Sequence, residues 1–194
     1  MEFAEVVKNR YSCKKYDGKQ ISAEQLDAVL QAGRLAPTAK NLQGQRIYVV
    51  QSAEGLAKID ELTPCRYGAP TVLVVAFDKN SVFVYPGEEA NSGVEDASIV
   101  ATHMMLAATN TGVDSCWLNF FDPAAVAKAF DLPENEQVLM CWTSALPQKA
   151  LSRCPTTPPA NRWKRRSSTC NFAHLHFHTF HTKFSASFQF RAVQ

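Results

Sequence analysis

Residues 92–118 read SGVEDASIVATHMMLAATNTGVDSCWL, a long helical pattern that stops at a glycine and runs straight into a strand. From about Val94 to Thr111, Ile99, His103 and Leu106 recur at helical spacing among Ala and Met fillers, which predicts a long, largely buried helix. Gly112 ends it. Cys116 to Phe121 is an apolar run and is expected to be a strand; Asp122-Pro123 then supplies a cap and a first-position proline for another helix. Upstream, Thr71 to Phe77 (TVLVVAF) is a continuous β-branched and apolar run, expected to be a strand covered on both faces. A helix as long as 94–111 beside such a strand calls for one sheet with helices packed on it, and the two strands are expected to be neighbours in it.

The rest of the first 140 residues fits that picture. Phe3, Val6 and Val7 give one apolar face to a short opening helix. Ser22 and Gln25 form a capping-box pattern ahead of Leu26, Val29 and Leu30, with Gly33 near the helix end. Arg46 to Gln51 reads as a strand, Ser52 caps the short helix after it, and Val138 to Met140 begins a further strand. The class is mixed α and β around one sheet. No GxGxxG follows a strand and no phosphate-cradling P-loop is present.

Three segments carry chemistry. Arg10-Tyr11-Ser12-Cys13-Lys14-Lys15-Tyr16 follows the opening helix, and in an extended segment residues 10, 12 and 14 share a side. A guanidinium, a hydroxyl and an ammonium on one side suit a phosphate; spacing alone fits a solvated basic turn as well. Ala36-Pro37-Thr38-Ala39-Lys40-Asn41-Leu42-Gln43 is a polar loop that could aim amides and hydroxyls at a ligand, or simply connect a helix to a strand. Gly112 to Asn119 leads into a strand whose edge could offer backbone groups to a flat ring, with core packing the other role open to Trp117.

In this order and at these distances the three segments resemble the nitroreductase family of flavoproteins. RYSCKKY matches the family's R-x-S-x-R/K-x-aromatic signature, and APTAKNLQ its A-P-S/T-x-x-N-x-Q loop, with Gly44 where a proline is usual. The 92–118 stretch is similar to its central helix and the turn after it. The resemblance covers about residues 1–140. It implies an α+β fold with a central mixed or antiparallel sheet flanked by helices, and a cytoplasmic homodimer holding FMN at the subunit interface. NADH or NADPH would be the reductant, and nitroaromatics, quinones or related compounds the acceptors. Carried over by residue, Arg10, Ser12 and Lys14, with Tyr11 between them, would hold the FMN phosphate and ribityl chain. Thr38 and Asn41, in a loop with Pro37 and Ala39, would meet the flavin across the dimer interface. Trp117, Leu118 and Asn119 would lie against the isoalloxazine ring, with a backbone N–H near its reactive N5. No side chain is required as catalytic acid or nucleophile, because the cofactor carries the hydride.

Composition changes sharply near residue 140. Residues 1–140 hold all 18 Asp and Glu against 12 Lys and Arg, a balance of −6. Residues 141–194 hold the other 8 Lys and Arg and no acid, a balance of +8. They also carry four of the five histidines and half of the phenylalanines. Back-translation of Cys141 to Asn171, joining each codon's third base to the next two, permits LDIGFPAEGAKPLPNHTSRKPLEETVKYL followed by a stop. That string reads like the family's C-terminus. Residues 141–194 are therefore expected to be an out-of-frame tail, poor in buried contacts, and the alternative function is a flavin-binding or inactive family member lacking its C-terminal arm. His174, His176, His178 and His181 could bind metal on one strand face, but no acid supports them, and no metal site is expected. The basic PANRWKRR stretch lacks a folded nucleic-acid motif. Six cysteines without paired spacing fit a reducing compartment, and no run reaches the roughly 18 apolar residues of a membrane helix.

Overall fold

The structure, a computed structural model, describes residues 1–87, 89–146 and 190–193, the last four as backbone. The elements run α1 (Phe3–Asn9), α2 (Ala23–Arg34), β1 (Gln45–Val50), α3 (Ala53–Leu62), β2 (Thr71–Asp78), α4 (Gly93–Asn110), β3 (Asp114–Leu118), α5 (Pro123–Ala129), β4 (Glu136–Ala145) and β5 (Phe190–Val193). The strands form one sheet in the order β3-β4-β2-β1-β5. The first three pairings are antiparallel, and β5 lies parallel to β1. This is the expected α+β class with a mixed sheet.

All eight residues of β2 are buried because helices cover both sides of it. Leu73, Val75 and Phe77 join Val29 and Leu30 of α2 and Val100 and Met104 of α4 in one core layer. Val72, Val74 and Ala76 face Ile59 of α3 and Val126 and Phe130 of α5 in the other. Local chemistry sets the helix starts. The Ser22 hydroxyl accepts from the Gln25 N–H at 3.2 Å while the Gln25 side chain accepts from the Ser22 N–H at 3.0 Å, a complete capping box. Ser52 caps α3 and Asp122 caps α5 in the same manner.

Four expectations need correction. First, β2 and β3 share a sheet but are not neighbours: β4 lies between them and pairs with both. Second, the buried stripe of α4 is Ala97, Val100, Ala101, Met104 and Ala108, while Ile99 is 38 % exposed and His103 is exposed. Small residues let the helix approach the sheet closely, so Ala and Gly mark the inner face and the larger Ile99 is left outside. Third, only Val6 of the α1 face is buried; Phe3 and Val7 stand in solvent. Fourth, β3 stops at Leu118, short of Phe121. Gly33 lies inside α2, where a Cβ would come within 2.9 Å of the Met104 sulfur, so it serves packing and does not end the helix. At Gly44 a Cβ would sit 2.3 Å from the Ser81 carbonyl oxygen, which leaves no room here for the family's proline.

The expected division at residue 140 falls inside a strand. β4 continues to Ala145, and Cys141 to Ala145 are fully buried, because an apolar, β-prone run can occupy the slot whatever its origin. Its fit is imperfect: the Trp142 Nε1 and Ser144 Oγ atoms are buried with no hydrogen-bond partner among the described residues. The rest of the tail, including its four histidines and the basic PANRWKRR stretch, lies outside the described residues apart from the β5 backbone.

Candidate functional site

The 10–16 segment leaves α1 at Arg10, whose N–H caps the helix on the Val6 carbonyl at 3.0 Å. It then runs extended beside β3. Ser12 bridges Ser115 in parallel, and the Cys13 N–H donates to the Ser115 carbonyl at 2.9 Å. Cys13 and Tyr16 are buried, whereas Arg10 and Ser12 are half-buried and Lys14 is exposed. Tyr11 donates its hydroxyl to the Asp114 carboxylate, and Tyr16 pairs with the Thr143 hydroxyl at 3.0 Å. These two tyrosines pin the segment against the C-terminal end of α4 and the end of β4. Burial and the Asp114 bond push the Tyr11 phenol well above its ordinary value, so it stays a donor at any physiological pH.

Ser12 and Lys14 both act on the thiol of Cys116 in β3. Burial nevertheless pushes that thiol up, against the pull of the Lys14 charge and the Ser12 hydrogen bond; Cys13 is raised by burial too. Both are protonated near neutral pH and are not nucleophiles. Neither Arg10 nor Lys14 is paired with a carboxylate among the described residues. β3 is the edge of the sheet, so its outer backbone groups beyond Cys13 face no strand among the described residues. Leu118 is buried in the α3/α5 layer, while Trp117 is half-buried against the α4 layer. The Trp117 indole donates to the side-chain amide oxygen of Asn119, and the exposed Asn119 donates its side-chain N–H to the Leu139 backbone carbonyl at 3.2 Å.

The 36–43 loop stands elsewhere. The Ala39 N–H donates to the Asp96 carboxylate at 2.8 Å, and the Thr38 hydroxyl accepts from the Gln43 N–H at 3.0 Å. Pro37 and Asn41 are exposed and Thr38 and Ala39 half-buried. Lys40, Asn41 and Gln43 all adopt left-handed φ, at 51°, 54° and 47°. Three such non-glycine residues in four positions store strain that the surrounding bonds must offset. Asp96 opens α4 and Ser115 follows its end. An 18-residue helix is about 27 Å long, so the loop and the Arg10–Lys14 segment are held at opposite ends of one rod. Within one chain the structure brings residues 10–14 and 117–119 together and keeps 37–41 apart from them. Sequence reasoning missed Asp96, although Ser92 and Asp96 at i, i+4 beside a helix start could have signalled a polar anchor.

Two cavities border these elements. One of about 210 Å³ lies between Asn9, Tyr11 and the Gly112–Ser115 turn. Another, about 510 Å³, opens between α5 and the start of β4 beside Lys79 and Lys128 and contains none of the expected site residues. Lys79 and Lys128 put positive charge there too, but no edge strand runs beside them as β3 does beside residues 10–14. Among the described residues no group of three metal-ligating side chains converges, and no helix is long and apolar enough to cross a membrane.

A mixed sheet held between α2/α4 and α3/α5, with a basic segment along its β3 edge, defines an α+β fold with an anion-ready edge. The Nitroreductase family model matches residues 7–67 and 64–144, and the chain belongs to that family. It is similar to a protein of Methanothermobacter thermautotrophicus described as a proposed NADH dehydrogenase/NAD(P)H nitroreductase, 29% identical over 144 residues that make up 70% of this chain and 72% of the relative. The crystal structure of a nitroreductase family protein from Clostridium difficile matches with 35% identity and a TM-score of 0.75, covering 80% of this chain and 90% of that one. A nitroreductase with bound FMN from Bacteroides fragilis matches with 26% identity and a TM-score of 0.64, over 84% of this chain and 97% of that one.

Proposed function

We propose that the protein is an FMN-dependent oxidoreductase that oxidises NADH or NADPH and reduces nitroaromatic, quinone or related acceptors, working as a cytoplasmic homodimer. Family membership, the FMN held by the Bacteroides neighbour and the name of the Methanothermobacter relative support this reading. The observation that carries it is the set of cations Arg10 and Lys14, with no carboxylate partner among the described residues, flanking Ser12 along the edge strand β3. Arg10 would grip a phosphate bidentately, Lys14 would add a point charge, and the Ser12 hydroxyl would donate once. Trp117 and Asn119 lock each other, so the edge backbone from Trp117 to Asn119 would offer a pre-set surface to a flat ring. FMN, when bound, supplies the hydride chemistry, and the protein supplies position and electrostatics.

A second copy is part of this reading. The Thr38–Asn41 loop is anchored near the N-terminal end of α4 and the phosphate side lies by its C-terminal end, with most of a helix about 27 Å long between them. One flavin could meet both groups only if they come from different subunits. The outward apolar side chains Phe3, Val7, Val94 and Ile99 on α1 and α4 offer the surface for that pairing. The four described cysteines are free, in keeping with a reducing compartment.

Arg10→Ala tests the site. Losing a charge-assisted pair worth about 1.5–3 kcal/mol should weaken FMN about ten- to a hundredfold, read by flavin fluorescence on titration. Purified protein that is colourless and cannot be reconstituted with FMN would remove the oxidoreductase reading.

The acid-free, basic composition of residues 141–194 favours a second reading for this chain, an impaired member whose residues from about 141 onward are out of frame. Restoring the frame would replace the tail with an arm carrying Ser-Arg-Lys-Pro. The restored protein should bind FMN more tightly and dimerise more strongly than the present chain. Coding DNA in which no single-base change near codon 141 opens that frame would refute it.

A further inference from the structure

Lys40 has no carboxylate partner among the described residues. Its ammonium lies instead over the Phe83 ring, 4.4 Å from the centroid. Phe83 in turn meets Tyr85 edge-on, with centroids 5.6 Å apart, and Tyr85 gives its hydroxyl to Glu95. The cation and the rings come from segments more than 40 residues apart, and one carboxylate holds them in place. Asp96, 6 % exposed, accepts from the Ala39 N–H at 2.8 Å through one oxygen and from the Ser92 hydroxyl at 2.7 Å through the other. Ser92 is bonded both ways to Phe83: its hydroxyl accepts from the Phe83 N–H at 3.0 Å, and its own N–H donates to the Phe83 carbonyl at 2.9 Å. Lys40 also pays for its place with a left-handed backbone at φ 51°.

We propose that Lys40, seated on Phe83, is a specificity-determining cation that selects a flat aromatic reactant bearing an anionic group. The inference rests on the reading above that Thr38 and Asn41, its immediate neighbours, face a flavin. A ring stacked on that flavin would have its rim beside the loop. A cation carried on an aromatic face is partly desolvated and aimed, so it attracts an anion better than a freely rotating surface lysine. The anion could be the carboxylate or sulfonate of an acceptor, or the extra phosphate that distinguishes NADPH from NADH. The chemistry is the same, and the measurements separate the two sources.

The FMN-loaded protein, Lys40→Met and Lys40→Arg are assayed with 4-nitrobenzoate against nitrobenzene, and with NADPH against NADH. Calorimetry of 4-nitrobenzoate and NADP+ binding to the oxidised protein gives a readout without turnover, because NADP+ carries the same extra phosphate and cannot reduce the flavin. In Lys40→Met the preference for the charged member of one pair should fall about two- to fivefold, through KM, with a matching rise in Kd. Lys40→Arg should restore it. A fall in the nitrobenzoate ratio assigns the anion to the acceptor; a fall in the NADPH ratio assigns it to the nicotinamide coenzyme. FMN-loaded Lys40→Met with both ratios and both Kd values unchanged overturns the proposal while leaving the flavin reading intact. A wild-type protein that holds no FMN overturns the flavin reading, and this inference falls with it.

Discussion

The two faces of α4 obey different rules. On the inner face Ala97, Val100, Ala101, Met104 and Ala108 are all completely buried, and every one of them packs into the layer above β2. On the outer face Ser98, Thr102 and His103 satisfy themselves on the carbonyls of Val94, Ser98 and Ile99, four residues back, and Val94 and Ile99 face solvent. The inner face is specified by fit and the outer one by self-sufficiency. Hydrophobicity alone does not tell them apart, since Ile99 is as apolar as anything inside. The inner stripe mixes alanines with Val100 and Met104, so fit to the facing layer and not size alone marks the packed side.

The comparison can be broken at its strongest point first. Met104→Ala removes a fully buried side chain and should cost about 2–5 kcal/mol in denaturant unfolding. Gly33 sharpens the result. A Cβ there would press on the Met104 sulfur at 2.9 Å, so Gly33→Ala alone should destabilise despite its better helix propensity. In the Met104→Ala background the same change should stabilise, with a coupling of about 1–2 kcal/mol in a double-mutant cycle. Additive costs would show that the two helices do not touch there.

Gly93→Ala comes next. Its Cβ would fall 2.3 Å from the Phe77 ring, which is locked in β2, and about 1–3 kcal/mol of overpacking should follow. Asp96→Asn keeps the shape but offers one acceptor where two bonds arrive, and should lower stability by about 1 kcal/mol. Local hydrogen exchange should rise at Ala39 more than at Val100. Smallest of all, Ile99→Glu should change the unfolding free energy of the isolated subunit by less than about 0.5 kcal/mol. The same variant should sediment as a monomer and lose FMN at concentrations where the parent protein keeps both. An Ile99→Glu protein that stays dimeric would exclude the outer face of α4 from the subunit contact.

Much of the fold was legible because it rests on local signals. Ser22 with Gln25, Ser52 and Asp122 marked helix starts, and the unbroken TVLVVAF run marked a strand covered on both sides. Strand order was not legible: nothing between residues 71 and 121 says that a later strand, β4, will slip between β2 and β3. The inner face of α4 was misjudged because Ile99, His103 and Leu106 are larger than the alanines that actually touch the sheet. At the site, the extended run of residues 10–16 beside β3 was readable in outline, while the burial of Tyr16 breaks the simple alternation. The role of Asp96 was hidden, since its partners Ala39 and Ser92 come from two separate loops. The left-handed turn at Lys40, Asn41 and Gln43 was hidden too, because none of the three is a glycine. A boundary read from charge at residue 140 could not foresee β4, because a strand slot is filled by apolar pattern and is indifferent to how that pattern arose.

The two unpartnered atoms in β4 reach beyond the sheet. A buried polar group left without a bond costs about 1–3 kcal/mol, and domains of this size commonly have only about 5–15 kcal/mol in hand. With no partner among the described residues, the Trp142 and Ser144 atoms, like the Gln45 amide in β1, would draw on that margin. In a cell that margin is read by chaperones and proteases, which sample whatever fraction of molecules is open at any moment. For this chain the toll falls on lifetime: fewer copies survive at steady state, and each survivor still presents the same Arg10–Lys14 edge.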